Sequence, residues 1–265
     1  MAQREILITG GNGYIAKSIS QGLWKYSDRD NITSISRKDF DLTNKKSTNK
    51  WFEGKYFDVI IHTAVVGGSR LTPDTSETFY QNLQMFYNLY YNKHCFSKFI
   101  HFGSGAELGT PTDPYGLSKK IINKLIQSEP NFYNIRIFGV FNEHELNTRF
   151  IKSNIKRYIN KQPIEIYQDK LMDFFYMEDL VTLVKYCIHD MCPPKNINCS
   201  YKKSYSLLNI ANIINNLSDY KVGINILERG EGTPYIDKHH NALFNYKGLE
   251  LGIKETYKKI LNGKN

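Results

Sequence analysis

The sequence predicts an α/β fold, a doubly wound parallel sheet with a smaller C-terminal lobe. Three observations lead there. Short apolar strand patterns alternate with amphipathic helical ones over the first 140 residues, an order that builds a parallel sheet covered on both faces. A glycine-rich turn, Gly10-Gly11-Asn12-Gly13, joins the first strand to the first helix. After Phe141 the alternation loosens. Residues 1–140 are therefore expected to form one domain and 141–265 a smaller lobe, some of whose segments return to the first.

Each element has its own signal. Glu5–Thr9 is a short apolar run ended by the glycine turn, and the stretch from there to Tyr26 is amphipathic. Ile32–Ser36 and Val59–Thr63 read as the next strands, the latter after the turn-forming Gly54. Between Thr75 and Lys93 the apolar residues Phe79, Leu83, Phe86 and Tyr90 recur at three- and four-residue spacing, which predicts a helix. Phe99–Phe102 is a fourth strand, Tyr115–Gln127 a helix and Tyr133–Phe138 a further strand. Beyond it, Asn147–Asn160, Glu178–His189, Leu207–Leu217 and Lys254–Leu261 read as helices and Ile164–Tyr167 as a strand. Pro193-Pro194 breaks the chain, and there is no internal repeat.

Composition narrows the function classes. With 265 residues, 41% of them hydrophobic and 14% aromatic, the chain can bury a substantial core. No apolar run approaches a membrane-spanning length, and the N-terminus leads straight into a strand pattern, so a cytoplasmic protein with no membrane partner is expected. Cys95, Cys187, Cys192 and Cys199 form no CxxC and no ligand spacing, which predicts reduced thiols and no metal. The net charge of +9 is spread over short runs such as Lys45-Lys46, Lys119-Lys120 and Lys258-Lys259. That scatter predicts solvated basic faces rather than a nucleic-acid-binding arm, and it also suits a nucleotide diphosphate ligand.

Gly10-x-x-Gly13-x-x-Ala16 lies where a strand gives way to a helix. Glycines there permit a tight turn and let the backbone approach a pyrophosphate seated on the helix N-terminus. Gly10 and Gly13, with Tyr14 and Ile15 at the helix start, are thus candidate dinucleotide-binding residues. The second strand ends Ile35-Ser36-Arg37-Lys38, where an acid would favour the ribose hydroxyls of NAD. A guanidinium at Arg37 suits a 2′-phosphate instead, so NADP(H) is the expected cofactor. Asp41 and Leu42 follow where the adenine would lie.

Of nineteen tyrosines, only Tyr115 has a lysine four residues later, Lys119. One helical turn puts both side chains on one face, where the ammonium favours the phenolate and lowers the tyrosine's pKa from about 10. Such a tyrosine can exchange a proton with a carbonyl or alcohol oxygen near neutral pH. Ser104 stands eleven residues upstream in Gly103-Ser104-Gly105, at a strand end.

With the glycine turn, Asp58–Val65, Ser104, Tyr115 and Lys119 in this order, the chain resembles an extended short-chain dehydrogenase/reductase of the NAD-dependent epimerase/dehydratase family. Asp58-Val59-Ile60-Ile61-His62-Thr63-Ala64 matches that family's third-strand pattern, and Asn82 falls at its helical asparagine. Met172-Asp173-Phe174-Phe175-Tyr176-Met177-Glu178-Asp179 is similar to its Arg-Asp-Phe-x-Tyr-Val-x-Asp segment, with Met172 in place of an arginine that helps bind the nucleotide. Ser36–Leu42 and Val65-Val66-Gly67-Gly68 look closest to GDP-fucose synthase and related nucleotide 4-keto-sugar reductases.

The resemblance implies a Rossmann-like sheet, a substrate-binding lobe and a nucleotide-sugar substrate. By it, Tyr115 is the catalytic acid, Lys119 holds the nicotinamide ribose while tuning Tyr115, and Ser104 bonds the substrate oxygen. Thr63, Ala64, Val65 and Asn82 join the cofactor set, and Gly105, Asn142, Arg149 and Lys152 the substrate set. Two donors aimed at an oxygen that gains negative charge would stabilise it as hydride arrives. The helices Thr75–Lys93 and Tyr115–Gln127 resemble the family's dimerising pair, which predicts a homodimer with Tyr80, Tyr87 and Tyr91 suited to its interface.

What is missing narrows the reaction. Related 4,6-dehydratases carry an Asp-Glu pair directly after the catalytic Ser/Thr, where this chain has Gly105 and Ala106. GDP-fucose synthase has a cysteine at the position of Ala106 and a histidine that aligns near Arg149, a poor proton shuttle. Dehydration and 3,5-epimerisation are disfavoured, and plain reduction of a 4-keto-6-deoxy sugar remains. An NAD-dependent 4-epimerase or dehydrogenase and a non-catalytic dinucleotide sensor are the competing readings. His62 is expected in the core or beside the cofactor and His144 at the surface, while His239-His240 lacks a third metal ligand.

Overall fold

The computed structural model describes residues 3–26, 30–69, 72–238 and 244–263. In chain order the elements begin β1 (Glu5–Thr9), α1 (Tyr14–Tyr26), β2 (Asn31–Ile35), α2 (Lys45–Phe52), β3 (Phe57–His62) and α3 (Ser76–Tyr91). They continue with β4 (Phe96–Ser104), α4 (Pro114–Gln127), β5 (Phe132–Ile137), β6 (Val140–Phe141), α5 (Phe150–Ile159) and β7 (Ile164–Asp169). Then come β8 (Leu171–Met172), β9 (Phe175–Tyr176), α6 (Met177–His189), β10 (Asn196–Cys199), β11 (Tyr205–Ser206), α7 (Leu207–Asn215), β12 (Ile224–Glu231) and α8 (Gly248–Asn262). The chain falls into two compact units, Met1–Arg136 with Val181–Ile197, and Ile137–Leu180 with Asn198–Asn265.

The first unit is built on a six-stranded sheet in the order β10-β5-β4-β3-β1-β2. The ladders β2–β1, β1–β3 and β3–β4 are parallel. Leu7 and Ile60 are register partners, as are Ile6 with Val59 and Ile8 with Ile61, and all six are buried. Alternation sends these pairs to opposite faces, so both faces are covered and the strands read as continuous apolar runs. On one face Leu7 and Ile60 join Phe86, Leu89, Phe99, Ile122 and Phe132, with Phe99 stacked on Phe132 at 4.7 Å between ring centroids. Val181 meets α1 at Gly22, where a Cβ would lie 2.6 Å from a Val181 methyl. The order reverses between β1 and β3, and the crevice outside the carboxyl ends of strands at such a switch point is where open α/β sheets bind ligands.

The second unit carries three small two-stranded sheets, β12 with β7, β11 with β8 and β6 with β9. Its core gathers Phe141, Ile155, Tyr158, Ile166, Ile210 and Ile253 from its strands and from α5, α7 and α8. Met172 sits in this core, 5% exposed. Here the structure adds elements that apolar periodicity does not announce: β6, β8, β9 and β11 are two residues each, and all but the first residue of β12 is exposed. α2 is a similar case in the first unit, a lysine- and asparagine-rich helix whose start is capped by Asn44 accepting from Ser47 N.

Candidate active site

β1 and β3 end side by side, and polar bonds tie the two ends together. Thr9 Oγ1 pairs with His62 Nδ1 at 2.8 Å, Thr63 Oγ1 donates to Thr9 O at 2.7 Å, and Ala64 N donates to Thr9 Oγ1 at 3.2 Å. Gly10 then turns with φ +74°, and a Cβ on it would lie 2.8 Å from Ala64 N. Both the left-handed backbone and the contact require glycine. Gly13 N donates to Gly10 O and Gly11 N to Ile35 O, each at 2.7 Å, so the turn is also fastened to β2.

Above these strand ends lies a cavity of about 450 Å³. Of the residues expected to hold a dinucleotide, Gly10, Gly13, Arg37, Asp41, Leu42, Thr63, Ala64 and Val65 line it. Tyr14 and Ile15 open α1 and are not in the lining. Asn12, Ser36, Phe40 and Met85 line it as well, positions that the glycine and strand-end motifs do not mark. Arg37 is exposed, and its guanidinium has no hydrogen bond or ion pair with any described residue. Ser36 receives the Asp39 carboxylate instead, its N–H and hydroxyl donating to Oδ2 at 2.8 and 3.1 Å. Asp41 closes its own turn by accepting from Thr43 N and Oγ1, and Leu42 O accepts from the buried Asn88.

Asn82 is bonded within the protein. Its side-chain oxygen accepts from Val66 N, and its amide donates to Val66 O and Ser118 Oγ. Both ends of the amide are engaged in clamping the segment after β3 onto α3 and α4. That segment continues through Gly67 and Gly68, both at positive φ, and a Cβ on Gly68 would lie 2.8 Å from Tyr115 Cζ. The backbone thus packs directly against the tyrosine ring.

Ser104 ends β4, and Tyr115 and Lys119 lie on α4, from which Lys119 reaches back to that strand. Ser104 closes that strand and caps a single 3₁₀ turn, Gly105–Glu107, accepting from Ala106 N at 3.2 Å. α4 starts at Pro114 with Asp113 accepting from Gly116 N, and a Cβ on Gly116 would lie 2.7 Å from Ala106 O. Glycine there lets the helix start press against the turn. Lys119 is 3% exposed; its Nζ donates to Phe102 O at 2.6 Å and lies 5.8 Å from the Tyr115 ring centroid. Burial pushes the ammonium down to about 8, against a raising pull from Glu107.

Glu107 is a buried site residue that sequence reasoning missed, 3% exposed. It accepts from Ser104 N at 3.3 Å, from Asn134 Nδ2 at 2.8 Å and from Arg136 Nε. Burial raises its carboxyl, while Arg136 and the other donors oppose the rise. His62 and His101, 5.4 Å apart, lie beneath the site, and burial with the charge of Lys119 keeps both neutral, His62 at about 3.

In the second unit Asn142, Arg149 and Lys152 gather around the start of α5. Asn142 Oδ1 accepts from His144 N at 2.8 Å, and Lys152 Nζ donates to Glu145 O at 2.6 Å. Arg149 is the exposed N-cap residue of α5. Glu145 is buried, accepts from Lys152 N at 3.0 Å and is pushed up by burial to about 8. His144 is largely exposed. His239 and His240 lie outside the described residues, and among those described no three His, Cys, Asp or Glu side chains cluster to hold a metal.

A family model described as the NAD dependent epimerase/dehydratase family matches residues 6–200. The chain belongs to that family. No curated protein matches it in sequence. Among solved structures it resembles a GDP-L-fucose synthetase from Naegleria fowleri, with a TM-score of 0.79 and 17% identity over 100% of this chain and 94% of that one. A GDP-mannoheptose C4 reductase from Campylobacter jejuni with NADP bound superposes at 0.77, with 17% identity over 97% and 98%. A UDP-N-acetylglucosamine 4-epimerase from Methanobrevibacter ruminantium superposes at 0.79, with 19% identity over 99% and 100%. At these identities the likeness establishes the shared Rossmann-like α/β fold, common to reductases and epimerases. Membership makes a nicotinamide dinucleotide the cofactor class, and the glycine cradle and its cavity fit one.

Gly10→Ala tests that cradle. The substitution is expected to lower dinucleotide affinity at least about tenfold and stability by about 1–3 kcal/mol, read by cofactor fluorescence titration and urea unfolding. Unchanged affinity in a folded variant would remove this turn from the cofactor site.

Proposed function

We propose that the protein uses NADPH to reduce the C4 ketone of a nucleotide-linked 4-keto-6-deoxy sugar, giving a deoxysugar donor for surface glycan synthesis. The observation that carries this reading is the environment of Ser104. Tyr115 and Lys119 are on the helix docked against its turn, whereas Gly105 and Ala106 carry no proton-transferring group and Glu107 is bound to Asn134 and Arg136. Ser104, Tyr115 and Lys119 would suffice for reduction, and neither residue directly after Ser104 can act as a second acid or base.

When bound, the reduced dinucleotide supplies hydride to the carbonyl carbon. Ser104 and Tyr115 donate hydrogen bonds to the oxygen as it becomes negative, and Tyr115 gives it a proton. Lys119 makes Tyr115 a stronger acid through its positive charge. Arg37, with no partner among the described residues, suits a 2′-phosphate and favours NADPH over NADH. Asn142, Arg149 and Lys152 are the proposed contacts to the sugar nucleotide. In solution the protein is proposed to be a homodimer joined through α3 and α4, where Tyr80, Tyr87 and Tyr91 are 58%, 56% and 50% exposed. No described helix is long and apolar enough to cross a membrane.

Four measurements check this. Purified protein offered NADPH with 4-keto-6-deoxy sugars on GDP, UDP, dTDP and CDP should consume cofactor with one of them, and Tyr115→Phe should slow turnover about 10²–10⁴-fold with binding kept. Copurified NAD with epimerisation and no NADPH consumption would overturn the reading, as would near-normal activity of Tyr115→Phe. The pH dependence has a definite sign: above about 8 Lys119 loses its proton, Tyr115 becomes a weaker acid, and kcat/KM should fall. A profile flat to about pH 10 would take the lysine charge out of the mechanism. Light scattering at micromolar concentration should give twice the chain mass, and a monomer would overturn the dimer.

A further inference from the structure

Resting on the reductase reading, we propose that Glu107 is a positioning residue of this site, the buried carboxylate that shapes the Ser104 turn and, like the Lys119 ammonium, is bonded to the backbone at the end of β4. It follows Ser104 by three residues, but its side chain folds back under the strand end. Oε2 accepts from Ser104 N, completing a reciprocal cap across the Gly105–Glu107 turn. Oε1 takes Asn134 Nδ2 and Arg136 Nε from β5. A Cβ on Gly103 would lie 2.6 Å from Oε2, so glycine at 103 leaves room for the carboxylate. Arg136 is anchored in turn by donating to Asn196 Oδ1 at 2.9 Å.

The groups that face Lys119 leave this carboxylate a particular job. From β3 and β4 come His62 and His101, buried and neutral, and from β4 also the Phe102 carbonyl that accepts from Nζ. Tyr115 is on the lysine's own helix. Glu107 contributes the negative charge that acts on the ammonium and opposes its desolvation. A buried lysine without such a partner sheds its proton as pH rises toward neutrality. Loss of that proton would weaken Tyr115 as an acid while leaving the tyrosine itself in place. Glu107 therefore acts through Ser104 and Lys119, with no contact to the reacting atoms required of it.

Glu107→Gln keeps an oxygen for Arg136 and removes the charge. The expected result is an alkaline limb of kcat/KM moved about one pH unit lower, with kcat reduced more than KM is changed. The same shift is expected in an NMR titration of the Lys119 ε-methylene group, assigned by comparison with Lys119→Arg. Glu107→Asp retains the charge, so its limb should stay within about 0.3 unit of wild type while kcat falls as the shorter side chain withdraws from Ser104 N–H. Each variant is first shown to be folded by its melting curve, and Glu107→Asp still decides the matter if Glu107→Gln does not fold. An unmoved Lys119 titration in Glu107→Gln overturns the proposal, and so does a large downward shift in Glu107→Asp. If the wild-type protein reduces no keto sugar, the reductase reading fails, and the NMR titration still decides the role of Glu107.

Discussion

The close approach of β1 to β3 at their carboxyl ends is the constraint on which the first unit's cleft depends. Gly10 turns within 2.8 Å, by its missing Cβ, of the Ala64 backbone, and Thr9 binds both His62 and the residues after it. Parallel neighbours in register, Thr9 opposite His62, put those groups within reach. The chain leaves β1 toward α1 and leaves β3 toward α3, so the two connections part and a crevice opens between them. The cavity lining follows from that geometry: the glycine turn on one side, Thr63–Val66 on another, and the loop after β2 closing it with Arg37, Phe40 and Asp41.

What could be read from the sequence was what depends on fixed offsets within a regular element. A tyrosine and a lysine one helical turn apart share a face wherever the helix goes, and a glycine turn between strand and helix admits few geometries. The place of Ser104 at a strand end was readable because an apolar run stops there, while its role comes only from the family resemblance. Glu107 was not, because its partners Asn134 and Arg136 are 27 and 29 residues away and meet it only through the adjacency of β4 and β5. Asn82 shows the same limit from the other side. Its position was visible, but its work, clamping Val66 and Ser118, belongs to the packing of α3 against α4. α2 carries little signal in the sequence because its lysines and asparagines leave no apolar stripe, and side-chain bonds such as Asn92 to Asn49 help to hold it in place.

A carboxylate so near Ser104 could be mistaken for the proton-transferring acid of a dehydratase. Its surroundings argue otherwise. A general acid needs access to the reacting group, yet Glu107 is bound by three donors and is 3% exposed. Releasing it toward a substrate would break the Ser104 cap and leave the Arg136 guanidinium without its carboxylate. Breaking a buried ion pair on one side costs about 3–5 kcal/mol, far more than the cap alone. The charges behind the site are thus coupled: Arg136 holds Glu107, Glu107 opposes the desolvation of Lys119, and in the proposed reduction Lys119 acts on Tyr115. A chemistry that needed a mobile acid here would have to dismantle that chain, whereas reduction needs it to stay still.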